Sequence, residues 1–162
     1  HSMESLLGRY RNAIGDSFAR ETIRLCREVF LSADMMSEVN REKLMVASYM
    51  GGCAIATSYV GLVHPFSAGL SVTFGTHHCL ANCISMRSME EFYPEHFDEF
   101  FIMAEKQAVE IPTGLCTNLN NEQYEKLFQS TIIHEKPLVN ALGTRFKEIL
   151  TKARVKEIFM RM

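Results

Sequence analysis

One apolar stretch, residues 61–82, holds three of the chain's six histidines and most strongly limits how the chain can fold. His64 and His78 lie fourteen residues apart in the sequence, a separation of roughly 21 Å along one straight helix. Two potential helix breakers, Gly69 and Gly75, lie between them. We therefore predict that a first helix ends near Gly69, that the chain then turns back, and that His78 begins a second helix beside His64.

This arrangement of two imidazoles has two interpretations. In an apolar pocket, converging imidazoles suit a borderline or transition-metal ion, which ring nitrogens bind at ~2.0–2.2 Å. Taken singly, each histidine is more often a hydrogen-bonded helix-end or surface residue, so the spacing alone leaves metal binding open. The distance between the imidazole nitrogens separates the two interpretations, because a shared ion requires a separation below about 4 Å.

Composition narrows the classes of function. The 162 residues suffice for one core of ordinary size. A net charge of −2 argues against a nucleic-acid surface. No apolar run reaches the length of a membrane span, and we expect no signal peptide. Five irregularly spaced cysteines are typical of reduced thiols. We expect a globular cytoplasmic protein that binds neither nucleic acid nor membrane.

Hydrophobic periodicity predicts an all-α chain of eight to ten helices without a strand. Residues 13–30 form an amphipathic pattern with a charged outer face. Asn40 is a plausible N-cap for a helix over residues 41–60. That helix becomes apolar or small on all sides, which is typical of a helix buried in the middle of a bundle. Pro65 suits the first turn of the helix that carries His64.

The two histidine motifs resemble those of the iron-containing (group III) alcohol dehydrogenases. The sequence G-L-V-H at 61–64 is followed by G-T-H-H-C-L-A-N at 75–82. In that family, a G-L-x-H helix precedes a P-H-G-x-A-N motif at the same histidine spacing. The resemblance covers nearly the whole chain. It implies that residues 1–162 are one helical metal-binding domain, a multi-helix bundle of the dehydroquinate synthase-like alpha type. This would be the C-terminal half of an enzyme whose nucleotide-binding domain is absent here.

The same resemblance implies a set of metal ligands. His64 and His78 would be two of them. His1 would be a third, because the family opens this half with an Asp-x-x-x-His pair and a glutamate three residues later, where this chain has Glu4. The alternative is that His1 belongs to a purification tag. An upstream aspartate would complete the set, and both Fe²⁺ and Zn²⁺ suit three nitrogens and one oxygen.

The activity that the resemblance implies is metal-assisted oxidation of a hydroxyl to an aldehyde. The ion would act as a Lewis acid on the hydroxyl, and hydride would pass to NAD(P) held by the missing domain. The expected partners are a small-molecule alcohol or acidic sugar and a second copy in a homodimer.

The chain departs from the commonest family pattern at three positions. Ala68 stands where many members have a second histidine, one turn after the first ligand. His77 replaces the proline before the second ligand, and Cys79 replaces the glycine after it. His77 is therefore a candidate catalytic residue in place of the lost proton relay. The alternative is an exposed turn residue.

These departures, with S-Y-V-G-L-V-H-P-F-S-A-G-L-S at 58–71, resemble one branch of the family. Its members oxidise the C8 hydroxyl of 3-deoxy-D-manno-octulosonate (Kdo). An acidic sugar needs a cationic partner, for which Arg9, Arg11 and Arg87 are candidates. Two alternatives remain open: a glycerol dehydrogenase or other simple-alcohol dehydrogenase of the superfamily, and a non-catalytic helical binding module.

Overall fold

The computed structural model describes all residues, 1–162, as ten α-helices without a strand. The predicted all-α class and helix number are thereby confirmed. In chain order the helices are α1 (Ser2–Leu7), α2 (Ala13–Phe30), α3 (Glu38–Ser58), α4 (Val63–Phe74), α5 (His78–Met86), α6 (Pro94–Lys106), α7 (Asn121–Ile132), α8 (Glu135–Leu142), α9 (Phe146–Ile149) and α10 (Lys152–Phe159).

The helices form two compact units, each made of two stretches of the chain. The first unit comprises His1–Val60 and Tyr93–Glu110, and so contains α1, α2, α3 and α6. The second comprises Gly61–Phe92 and Ile111–Met162, and so contains α4, α5 and α7 to α10. Both candidate ligands in the apolar stretch therefore belong to the second unit.

Helix α2 is the scaffold of the first unit and contacts α1, α3 and α6. Its N-cap is Asn12, whose side-chain oxygen accepts a hydrogen bond from the Gly15 backbone N–H at 3.0 Å. One stripe of the helix is buried, at the three- and four-residue spacing of an amphipathic helix: Gly15, Ala19, Thr22, Leu25 and Val29.

The N-cap of helix α3 lies three residues before the predicted one. This N-cap is Ser37, whose side chain accepts from the Asn40 backbone N–H at 3.4 Å. Asn40 lies within the first turn instead, and its side-chain amide donates to the Ser32 hydroxyl and the Asp34 carbonyl. The prediction of Asn40 as the N-cap was therefore wrong. Its side-chain amide instead forms hydrogen bonds with the loop that precedes the helix.

The expectation that α3 is buried on all sides was also wrong. Only a narrow stripe of small residues is buried, namely Asn40, Ala47, Gly51, Ala54 and Ser58. The opposite face is exposed, and Met45 and Tyr49 each expose 74% of their surface. Small residues let the helix approach its neighbours closely along one stripe, whereas an all-round apolar composition does not specify which face is covered.

Helix α4 is the scaffold of the second unit and contacts α5, α7 and α8. The rings of Phe66 in α4 and Phe159 in α10 lie 4.9 Å apart between centroids, and both side chains are fully buried. Leu70, one turn beyond Phe66, is also fully buried. This apolar packing holds the helix that carries His64.

The predicted end of this helix near Gly69 was wrong, because α4 continues to Phe74. Gly75 is the C-cap in the left-handed region, at φ 71°, a conformation that favours glycine. At Gly69 an added Cβ would lie 2.9 Å from Thr131 Oγ1 and 3.0 Å from Phe159 Cζ. Gly69 thus permits close packing within the second unit, and Gly75 makes the turn.

No single helix is both long and apolar enough to cross a membrane, although the broken pair of α3 and α4 would pass by length and composition alone.

Candidate metal site

Helices α4 and α5 bring His64 and His78 to the same place. His64 is the second residue of α4, and Pro65, buried directly after it, occupies the first turn as expected. Gly75 ends α4, and α5 begins at His78. The predicted reversal of the chain, with His78 opening the second helix, is confirmed.

The two imidazoles are close neighbours in the second unit. Their ring centroids lie 5.4 Å apart, with ring planes inclined by 53°. A nitrogen of each ring lies within 4.8 Å of the other. This upper limit is wider than the separation of about 4 Å that a shared ion requires. The rings are therefore brought together, and an ion between them remains a prediction.

The pair lies at an edge between buried and exposed surface. His64 is half-buried and its Nε2 atom is buried, whereas His78 is exposed. The residues around His64 in α4 are apolar and buried: Val63, Pro65 and Phe66. Solvent can reach the ring of His78 while the ring of His64 is shielded, which is a suitable environment for an ion that must also meet a ligand from outside.

Asn82 is a polar neighbour of the pair that the sequence analysis did not assign. It lies one turn after His78 in α5, and its Nδ2 is 3.2 Å from His78 Nε2. The four-residue spacing was visible in the sequence, because such residues share a helix face.

His77 is the N-cap of α5 and is exposed, without a side-chain capping hydrogen bond. It is adjacent in sequence to His78, but no contact with a reacting group tests its role as a relay, so that role stays a prediction. Ala68 lies one turn after His64 in α4 and is half-buried. No imidazole occupies that turn of the helix.

His1 is the N-cap of α1 in the first unit and is exposed. Its carbonyl accepts a hydrogen bond from the Ser5 backbone N–H at 2.9 Å. Glu4, the glutamate that carried the resemblance here, is almost completely buried in the same helix. The proposed ligation by His1 stays a prediction.

Two of the three candidate arginines have partners within their own unit. Arg11 forms an ion pair with Asp16 at 2.5 Å, and the pairing raises the pKa of the Arg11 guanidinium. Arg87 donates to the Ile111 carbonyl at 2.7 Å. Arg9 is exposed.

Two thiols follow His78 on α5. Cys79 is exposed and Cys83 is half-buried. Burial raises the pKa of the Cys83 thiol, and the neighbouring Cys79 raises it further.

Comparison with known proteins identifies the family. The model of the Fe-containing alcohol dehydrogenase family, C-terminal, matches residues 1–147. The chain belongs to this family. The family membership that the two histidine motifs predicted is thereby confirmed.

Two solved structures have a similar fold. One is an iron-containing alcohol dehydrogenase, with a TM-score of 0.74 and 22% identity over 99% of this chain. Another is an iron-containing alcohol dehydrogenase from Thermotoga maritima, with a TM-score of 0.72 and 22% identity over 98% of this chain. In each case the chain spans 45% of the other protein. The helical fold is therefore that of less than half of these proteins.

Proposed function

We propose that this chain is the metal-binding part of a metal-dependent alcohol dehydrogenase. The observation that carries the proposal is the approach of His64 and His78 in a member of this family, with ring nitrogens within 4.8 Å. Two imidazoles, one half-buried and one exposed, fit a borderline divalent ion such as Fe²⁺ or Zn²⁺. His1 would be the third ligand and an aspartate outside this chain the fourth.

The residues of this chain would bind and shield the reacting group. A bound divalent ion would supply a Lewis acid that favours ionisation of the substrate hydroxyl. Val63, Pro65 and Phe66 are buried around His64 and would exclude water from that side. His77, exposed at the start of α5, would exchange the hydroxyl proton with solvent. NAD(P) would be bound by a part of the full polypeptide outside residues 1–162.

For the substrate, we propose the C8 hydroxyl of Kdo. Support comes from the resemblance at residues 58–71 and from Ala68, since a small side chain one turn from His64 leaves volume for a polyol. Arg9 is the exposed candidate for the substrate carboxylate. The alternative substrates are glycerol and simple alcohols. A homodimer is the expected assembly.

Metal retention tests the site. In the complete natural polypeptide that carries these residues, His64→Ala and His78→Ala should each lose bound Fe²⁺ or Zn²⁺ on dialysis, measured by elemental analysis. His134→Ala is the matched control, because His134 is an exposed helix N-cap at α8. Full retention in either site variant would remove that residue from the site, and retention in both would contradict the proposal.

Turnover tests the activity and the substrate. The complete polypeptide should reduce NAD(P)⁺ with an alcohol after loading with Fe²⁺ or Zn²⁺, and Kdo should give a higher kcat/KM than glycerol or ethanol. His77→Ala should lower kcat by roughly 10²-fold with unchanged metal content. Failure to oxidise any of these alcohols would contradict the proposal, whereas a preference for glycerol would contradict only its substrate.

A further inference from the structure

Helix α6 is the one helix of the ten in which no residue is buried. Its three phenylalanine rings are half-buried and lie against one another. The ring centroids of Phe97 and Phe101 are 4.9 Å apart, and those of Phe100 and Phe101 are 5.1 Å apart. Ile102, the next residue, is exposed. Because no side chain of α6 is buried in a core, its release from α2 would remove little buried apolar area.

The chain on either side of α6 is, in contrast, fixed. Tyr93 directly before the helix is buried, and so is Ile111 shortly after it. Arg87 donates a hydrogen bond to the Ile111 carbonyl at 2.7 Å. The segment Tyr93–Glu110 belongs to the first unit, although the chain before and after it belongs to the second. Helix α6 is therefore the middle of a strap whose two ends are held and whose centre has no core contact.

Polar side chains attach this strap to the C-terminal end of α2. The guanidinium of Arg27 donates through Nε and Nη2 to the two carboxylate oxygens of Glu99, the second bond at 2.9 Å. The hydrogen bond from Arg27 lowers the pKa of Glu99, so the carboxylate is charged at neutral pH. The side-chain amide of Gln107, directly after α6, donates to the Phe30 carbonyl at 2.6 Å and to the Ser32 carbonyl at 3.0 Å. The first of these carbonyls belongs to the last residue of α2, where a helix leaves its acceptors unpaired.

A segment with few buried apolar contacts opens at a lower free energy than the helices of a core. We propose that α6 is a strap that opens from α2 while the rest of the first unit stays folded, with the Arg27–Glu99 ion pair and the Gln107 amide as its latch. Both side chains of the ion pair are partly exposed, so ionic strength weakens this half of the latch. Opening removes the donor from the end of α2 and exposes the three rings. The inference does not depend on the proposed alcohol dehydrogenase activity.

Hydrogen exchange of the complete polypeptide, followed by mass spectrometry of peptic peptides, tests the opening. Amides of residues 97–106 in α6 should exchange at least about 10-fold faster than those of residues 17–30 in α2. Their rate should change little in dilute urea, whereas the rate in α2 should rise, because only global unfolding exposes a large surface. Equal rates with the same dependence on urea would show that α6 opens only with the whole unit, and would overturn the proposal.

Single substitutions at exposed positions test the two halves of the latch. Arg27→Met should speed exchange in α6 by about two- to fivefold at low ionic strength, and by less at about 1 M salt. Gln107→Leu should speed it by about two- to tenfold at either salt concentration. Arg145→Met is the matched control, because Arg145 pairs with Glu148 in the second unit, and it should leave α6 unchanged. Unchanged exchange in both latch variants, or equal acceleration in the control, would overturn the latch.

A charge exchange separates the ion pair from its surroundings. Arg27→Glu should accelerate exchange in α6 more than Arg27→Met does, because two carboxylates then face each other. Adding Glu99→Arg should return the rate to within about twofold of the wild type. His96 Nδ1 also lies 3.8 Å from the Glu99 carboxylate. An acceleration that Glu99→Arg does not reverse would therefore assign the effect to this neighbour and overturn the Arg27–Glu99 pair as a latch.

Discussion

The two units join their helices by different kinds of contact. In the first unit, α2 meets α3 where glycine and hydroxyl side chains lie against each other. An added Cβ on Gly15 would clash with the Ser58 and Thr57 hydroxyls. In the second unit, α4 meets its neighbours through large, fully buried apolar side chains such as Phe66 and Leu70. One contact depends on close backbone approach and the other on buried volume.

The polar groups of the first contact are hydrogen-bonded rather than merely buried. The hydroxyls of Ser5 and Ser58 bond to each other, and Ser58 also donates to the Ala54 carbonyl at 2.8 Å. Thr22 donates to the Phe18 carbonyl at 2.9 Å. Such bonds offset the cost of burying hydroxyls but add little net stability. The central contact of the first unit therefore includes buried hydroxyl groups that have hydrogen-bond partners.

In the second unit the histidine pair lies beside the apolar kind of contact. His64 is separated by only one residue from Phe66, whose ring packs on Phe159. A metal ligand needs a side chain held within a fraction of an ångström, which a well-packed helix supplies better than a loop. The comparison shows that the His64–His78 pair lies in the unit whose central helix is held by large apolar side chains rather than by hydroxyl pairs.

The largest loss of stability is therefore expected for a substitution in the second unit. Phe66→Ala should reduce the free energy of unfolding by about 3–5 kcal/mol, because it removes a fully buried ring and leaves a cavity against Phe159. Urea denaturation followed by circular dichroism measures the change. A loss below about 1 kcal/mol would mean that the two kinds of contact do not differ as described.

A smaller loss is expected at the close approach inside the same unit. Gly69→Ala should cost about 1–3 kcal/mol, because the new methyl group would press on Thr131 Oγ1 and on the buried ring of Phe159. Thr131→Ala in the same chain should recover part of the loss by removing one of the two obstacles. Unfolding midpoints of the single and double variants check this. An unchanged midpoint for Gly69→Ala would show that the α4 backbone can move away.

The hydroxyl pair of the first unit should show a smaller effect and strong coupling. Ser58→Ala should cost about 1–2 kcal/mol, because the buried Ser5 hydroxyl loses its partner. Ser5→Ala with Ser58→Ala should cost less than the sum of the single losses, since no unpaired hydroxyl then remains. A double-mutant cycle in urea measures this coupling. Additive losses would contradict the assignment of a hydroxyl pair at this contact.

Local signals in the sequence were sufficient to predict the all-helical class and the reversal of the chain between His64 and His78. Pro65 begins a helix and Gly75 ends it through conformational preferences that need no distant partner. The glycines show where this reasoning stops. Gly69 and Gly75 are equivalent helix breakers by sequence, and only the positions of Thr131 and Phe159 distinguish close packing from a turn.

The same limit applies to the site. The spacing of His64 and His78 predicted their approach because the intervening segment is short and carries its own turn. The exposed face of α3 was not predictable, because burial is decided by which helices cover it. The hydrogen bond between His78 and Asn82 could have been predicted, since it needs only the i,i+4 geometry of one helix.

The smallest expected effect is a gain at the small-residue stripe of α3. Gly51→Ala should stabilise the chain by about 1 kcal/mol, because alanine favours the helix. The added Cβ would find Thr22 Cγ2 at 3.5 Å and Ser2 Oγ at 3.7 Å, which is ordinary contact.

Gly52→Ala is the matched control, because a Cβ there meets nothing within 4 Å and can act only through helix preference. The difference between the two unfolding free energies isolates the contribution of packing against α2 and α1, for which about 0.8 kcal/mol is the expected limit for one buried methyl group. If Gly51→Ala is less stable than Gly52→Ala, α3 is pressed against its neighbours as tightly as α4 is at Gly69. The contrast between the two units would then lie only in polarity, and not in the closeness of the helices.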